Sequence, residues 1–149
     1  MDNSKAISTL NSLIETLKDG EEGFRTAAEG LTDPQAKAVF QQYGRERAQM
    51  AQELQAEVRA LGGDPEKAGS VSGSVHRGWI NIKSVVTGKN DASIIAEAER
   101  GEDIAKNAYA EAIKATLPPS VSAIVSRQAI KVRESHDRVR SMERAVAAR

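Results

Sequence analysis

Four prolines, at positions 34, 65, 118 and 119, cut the chain into stretches that repeat their apolar residues at threes and fours. Proline lacks an amide donor and clashes with the preceding helical turn, so each marks a boundary between helices. The first stretch, about Ser4 to Leu31, spaces Ile7, Leu10, Ile14, Leu17, Phe24, Ala28 and Leu31 along one helical face. Gly30 closes it, and Asp33-Pro34 opens the next helix with a capping acid followed by proline at the first helical position. The second helix runs to Leu61 on a stripe of Val39, Phe40, Tyr43, Met50, Leu54, Val58 and Leu61, and Gly62-Gly63 stops it.

From Gly62 to Ser74 the chain holds four glycines, three serines and a proline, the composition of an irregular crossover. A link that long lets the helices on either side of it run parallel. His76-Arg77-Gly78-Trp79 then starts a short helix through about Val86, with Trp79 expected to cap the bundle end and the two basic residues to stay in water. A break follows at Gly88-Lys89-Asn90-Asp91, where Asp91 is the expected cap. The third long helix, about Ala92 to Leu117, carries Ile94, Ile95, Ala98, Ala105, Ala108, Tyr109, Ala112 and Ile113 on one face. The fourth, from near Ser120 towards Val146, sets Val125, Val132, Val139 and Val146 at strict sevens, flanked by Val121, Ile124 and Met142.

Four long amphipathic helices and one long crossover predict an all-α fold: a ferritin-like four-helix bundle whose crossover carries a short extra helix. Up-and-down connectivity is the alternative. At 149 residues the chain has the size of one domain, 1–149, with one core. Twenty-one basic and 21 acidic residues cancel, giving no broad positive field, so nucleic acid is not an expected partner. No apolar run reaches the length of a membrane span. The absence of cysteine removes disulfides, thiolate metal sites and thiol nucleophiles, and suits a reducing, cytoplasmic setting. No phosphate loop, nucleophile elbow or Ser/His/Asp order is present.

The informative residues are polar groups inside the stripes. Glu21 takes the slot that Ile7, Ile14 and Ala28 fill at seven-residue steps, Glu102 falls between Ile95 and Tyr109, and His136 lies beside Val132 and Val139. In the second helix Arg47 is nearer the stripe centre than Glu46, which sits at its edge. Carboxylates and an imidazole converging from different helices suit a hard or borderline metal, iron or manganese, with Tyr43 or Tyr109 nearby. A complete di-iron site asks for a Glu-x-x-His pair on each of two helices. Here Gln49 stands where the histidine after Glu46 is wanted, and Arg133 where the glutamate before His136 is wanted. The first reading is therefore a structural polar network of Glu21, Glu102, Arg47 and His136, with metal held by Glu21, Glu46, Glu102 and His136 as the second. Gly20, Gly23, Gly44 and Gly101 lie within helices, where each costs about 1 kcal/mol relative to alanine; close helix approach is the favoured compensation over a local bulge.

The segments LIETLKDGEEGFRTAAEG (13–30), LQAEVRALGGDPEKAGSVSGSVHRGWINIKSVVTGKND (54–91), AEAERGEDIAKNAYAEAI (96–113) and SHDRVRSM (135–142) resemble a bacterial family of ferritin-like four-helix-bundle proteins known only as a domain of unknown function. The resemblance implies the ferritin-like fold, a cytoplasmic setting and a link to stress or metal physiology. On the wider superfamily's pattern, Glu21, Glu46, Glu102 and His136 are the positions able to inherit ligand roles. The departures at Gln49 and Arg133 favour a degenerate bundle acting as a non-catalytic binding or interaction protein. An iron- or manganese-binding carboxylate protein with ferroxidase or oxidoreductase-like activity is the alternative, and pairing into a homodimer is a third possibility.

Overall fold

The computed structural model describes residues 3–65 and 77–147. Helix α1 spans Ser4–Gly30 and α2 spans Pro34–Ala60. A 3-10 turn at Arg77–Trp79 leads to the short α3, Ile82–Thr87, followed by α4, Asp91–Lys114, and α5, Pro119–Ala147. The four long helices match the proline-bounded stretches, and the fold is ferritin-like. His76 lies outside the described residues, as does the side chain of Arg77.

The ends form for local reasons. Asp33 Oδ2 accepts from Ala36 N at 2.8 Å with Pro34 at the first helical position, as the sequence predicts. Helix α2 ends in a Schellman arrangement: Gly62 has φ +87°, its N–H reaches Arg59 O, and Gly63 N–H reaches Val58 O at 2.9 Å. At the start of α4 the cap is Asn90, whose side chain accepts from Ser93 N at 3.0 Å, one residue before the expected Asp91. The Asp91 carboxylate instead accepts from Thr32 N–H, Thr32 Oγ1 and Asp33 N–H at 2.8 to 3.0 Å, tying the start of α4 to the α1–α2 turn.

These ties set the topology. Gly63 packs against Ile7, so α2 ends beside the start of α1. Asp91 sits at the opposite end, so α2 and α4 run parallel and the crossover travels the length of the bundle. Helix α1 packs on α2 and α4, and α5 packs on α4 and α2, closing the ring. The described later part of the crossover, residues 77–90, lies along the α1–α4 groove, where α3 rests on both helices.

Buried apolar side chains form two layers, not the one core expected. One gathers Leu10, Leu13, Ile14, Leu17, Leu54, Tyr109, Val125 and Val132. The other gathers Phe24, Phe40, Tyr43, Trp79, Ile94, Ile95 and Val139. Trp79 belongs to the second layer and does not cap the bundle end. Its indole enters between Gly23 of α1 and Gly101 of α4, where a Cβ on either glycine would stand 2.2 Å from a ring atom. Close approach thus explains these helical glycines, and Gly44 likewise admits the α1 backbone, with Glu21 O 3.4 Å from where its Cβ would be. Ile113, placed on the inner face by its spacing, is half exposed.

Candidate functional site

Between the two layers lies a polar belt with one polar residue from each of α2, α4 and α5. Glu102 of α4 and Arg47 of α2 are both essentially sealed from water. Arg47 Nη2 donates to Glu102 Oε2 at 2.8 Å and to Ser135 Oγ of α5 at 2.7 Å. The Ser135 hydroxyl donates in turn to Glu102 Oε2. Nη2 is equally close to Glu102 Oε1, at 2.8 Å, but that oxygen makes no aligned hydrogen bond. Helix α1 supplies space: Gly20 faces the guanidinium, and a Cβ there would come within 3.1 Å of Nη1. One turn on, the Phe24 ring lies with its centroid 5.4 Å from Arg47 Cζ, a cation–π contact, while its other neighbours include Trp79 at 5.0 Å. A charge so deeply buried is stable only when paired and hydrogen-bonded, and each helix contributes to that condition.

A second polar bridge lies about two helical turns along. The buried Tyr109 hydroxyl donates to Gln128 Oε1 at 2.7 Å, and Gln128 Nε2 donates to Glu53 Oε1 at 2.8 Å and to Met50 O at 3.3 Å. Burial pushes the Tyr109 phenol far above its usual range. Burial also raises Tyr43, opposed by the charge and hydrogen bond of Arg138. Glu97, also buried, accepts from Asn81 N at 2.7 Å and pairs with Arg100, holding the crossover onto α4.

The four residues proposed as ligands from sequence do not converge. Glu102 faces the interior as expected. Glu21 is only half-buried and lines a groove on the outer face of the α1–α2 pair with Arg25 and Arg45. Ile14 and Ala28 of its seven-step series are buried, but between them the inner face is taken by Gly20 and Gly23, which admit Arg47 and Trp79, and Glu21 is left at the outer edge. Glu46 stays at the edge of the α2–α5 seam, its Oε1 3.9 Å from Lys131 Nζ. His136 is buried, but between α4 and α5: its Nε2 is 2.6 Å from Asp103 Oδ1 and its Nδ1 3.2 Å from Asp137 Oδ1. The expected network thus reduces to Arg47 and Glu102, joined by Ser135. Gln128 and Ser135 belong to a second seven-step series, Val121, Gln128, Ser135, Met142, which runs beside the valines and predicts their burial as well as the valine series predicts its own.

The ferritin-like fold implies an interior di-metal carboxylate centre, and the residues of the belt do not fit one. Such a centre needs several anionic oxygens and imidazoles around a cation. The belt offers a single carboxylate, already neutralised by a guanidinium that stands where the cation would have to sit.

Residues 5–115 match the family described as "Domain of unknown function (DUF2383)", a stretch that covers α1 to α4 and stops short of α5. No curated protein matches the chain. Among solved structures it is similar to a two-domain protein of Anabaena variabilis that contains DJ-1/ThiJ/PfpI-like and ferritin-like domains. The identity is 18% and the TM-score 0.80, over 97% of this chain and 40% of that one. At that identity the likeness speaks for the fold alone. The match over most of its length shows that the chain belongs to the DUF2383 family of ferritin-like helical bundles.

Proposed function

We propose that this protein is a non-catalytic ferritin-like bundle, a cytoplasmic binding or interaction protein whose interior ion pair takes the place of the superfamily's metal centre. The observation that carries the reading is the Arg47–Glu102 contact of 2.8 Å at the middle of the bundle. Coulomb repulsion from the guanidinium opposes any cation at that level, and removing the guanidinium would leave a lone buried carboxylate. The absence of cysteine suits a reducing compartment. The Anabaena variabilis protein joins its ferritin-like domain to a second fold, which suits an interaction role for a bundle of this kind. On this reading residues 1–149 act as one domain.

The test is aerobic oxidation of Fe(II) followed by absorbance. The expected rate is that of buffer alone, with no saturation in iron. A saturable rate that disappears in Glu102→Gln would overturn the reading and favour the ferroxidase alternative.

A further inference from the structure

On the outer flank of the α4–α5 pair, Glu99 and Asp103 stand one helical turn apart and face His136 across the seam. One ligand atom from each lies within 4.8 Å of the other two. We propose that this trio binds a divalent transition-metal ion, at a position separate from the interior belt and independent of the function proposed above.

The imidazole is the anchor of the trio. His136 is buried to within 2% of full enclosure, and both its nitrogens meet carboxylates. A neutral ring has one N–H to give. Two carboxylates therefore call for a positive charge at the ring, either a second proton or a cation, and with Nδ1–H donated to Asp137 the Nε2 lone pair is left facing Asp103 and Glu99, where a metal ion can take the proton's place. Carboxylate, imidazole and metal in line is the usual way a protein fixes the tautomer of a ligating histidine, and here Asp137 holds the outer position.

The donor set chooses the ion. One imidazole nitrogen with two carboxylate oxygens suits zinc, cobalt, manganese or ferrous iron better than a hard cation bound through oxygen alone. Asp103 is 53% exposed, so water can complete the coordination sphere from that side. Bond lengths of about 2.0–2.2 Å require Nε2 and Oδ1 to open by about 0.7 Å, an adjustment within reach of a half-exposed side chain. Three carboxylates, Glu99, Asp103 and Asp137, surround the ring. Against them stands Arg140, whose Nε is 3.8 Å from Glu99 Oε1 and which a bound cation would have to displace or tolerate.

Co(II) added alone to the full chain gives a direct readout, since coordination produces visible ligand-field bands. One equivalent should bind. Asp103→Asn, an exposed change that leaves the fold intact by circular dichroism, should weaken binding about a hundredfold, and His136→Gln should do the same. Asp137→Asn, which loosens the ring without touching the ion, should weaken it about tenfold. Arg140→Gln should tighten it about threefold, an effect a merely structural hydrogen-bond cluster would not produce. His76→Gln should change nothing. A spectrum identical to that of free Co(II), binding that survives Asp103→Asn, or binding lost in His76→Gln would each overturn the proposal.

Discussion

Arg47 and Glu102 meet across the bundle interior, with Nη2 2.8 Å from Oε2, and their contact separates the two apolar layers of the core. An ion pair in this position adds less to stability than its geometry suggests, because desolvation of both groups offsets much of the attraction. What it imposes is an all-or-none requirement: neither charge is tolerable without the other.

Single removal should therefore be costly and double removal much less so. Arg47→Met or Glu102→Leu alone is expected to destabilise by about 3–5 kcal/mol, and the double variant to recover most of that loss. Urea unfolding of the four proteins in a double-mutant cycle measures it. Additive effects would show that the two side chains do not act as a pair.

The Trp79 slot predicts a reversal of helix propensity. Alanine normally favours a helix over glycine by about 1 kcal/mol. At Gly101 or Gly23 a Cβ would stand 2.2 Å from the indole, so Gly101→Ala should destabilise by about 1–3 kcal/mol and shift tryptophan emission to the red. Combining it with Trp79→Ala should remove most of the additional penalty. Gly62→Ala is a useful contrast: its cost arises from φ +87° and leaves emission unchanged.

Alkaline pH should weaken the fold through Tyr109. Burial raises this phenol in the folded state, so above the ordinary tyrosine range of about 10 the unfolded chain releases a proton that the folded chain keeps. The stabilisation is fully present below that pH and is lost as pH rises through and beyond it. Folded protein should show little phenolate absorbance at pH 10, because Tyr43 is also raised. Tyr109→Phe should flatten the alkaline decline while costing about 1 kcal/mol at neutral pH, since Gln128 Oε1 loses its donor.

The turn between α1 and α2 depends on a residue far along the chain. Asp91 accepts three hydrogen bonds from Thr32 and Asp33. Asp91→Ala should cost about 1–2 kcal/mol and speed amide exchange at Thr32 and Asp33, with the rest of α1 unaffected. Uniform acceleration along α1 would mean that the contact holds the whole helix.

Proline, glycine and apolar spacing make the four long helices, their ends and the parallel crossover legible in the sequence, because those features act locally. The level of the polar belt is legible in part: Glu102 and Arg47 stand at the centres of their stripes, whereas Glu21 is misplaced because the inner face at its level belongs to Gly20 and Gly23, which carry no apolar signal and admit side chains from elsewhere in the chain. Asp103 carries no signal of its own, since it sits on the polar side of α4 and becomes interesting only when α5 brings His136 beside it. The position of Trp79 depends on two glycines 78 residues apart meeting across a groove, a relation that no single helix contains.

Whether the ion pair occupies the middle of the bundle in place of a metal centre is decided by an anomalous-difference map recorded at the iron edge from crystals soaked in Fe(II). No peak is expected among Arg47, Glu102 and Ser135, with the Arg47–Glu102 contact intact. A peak bonded to Glu102, with the guanidinium swung aside, would contradict it.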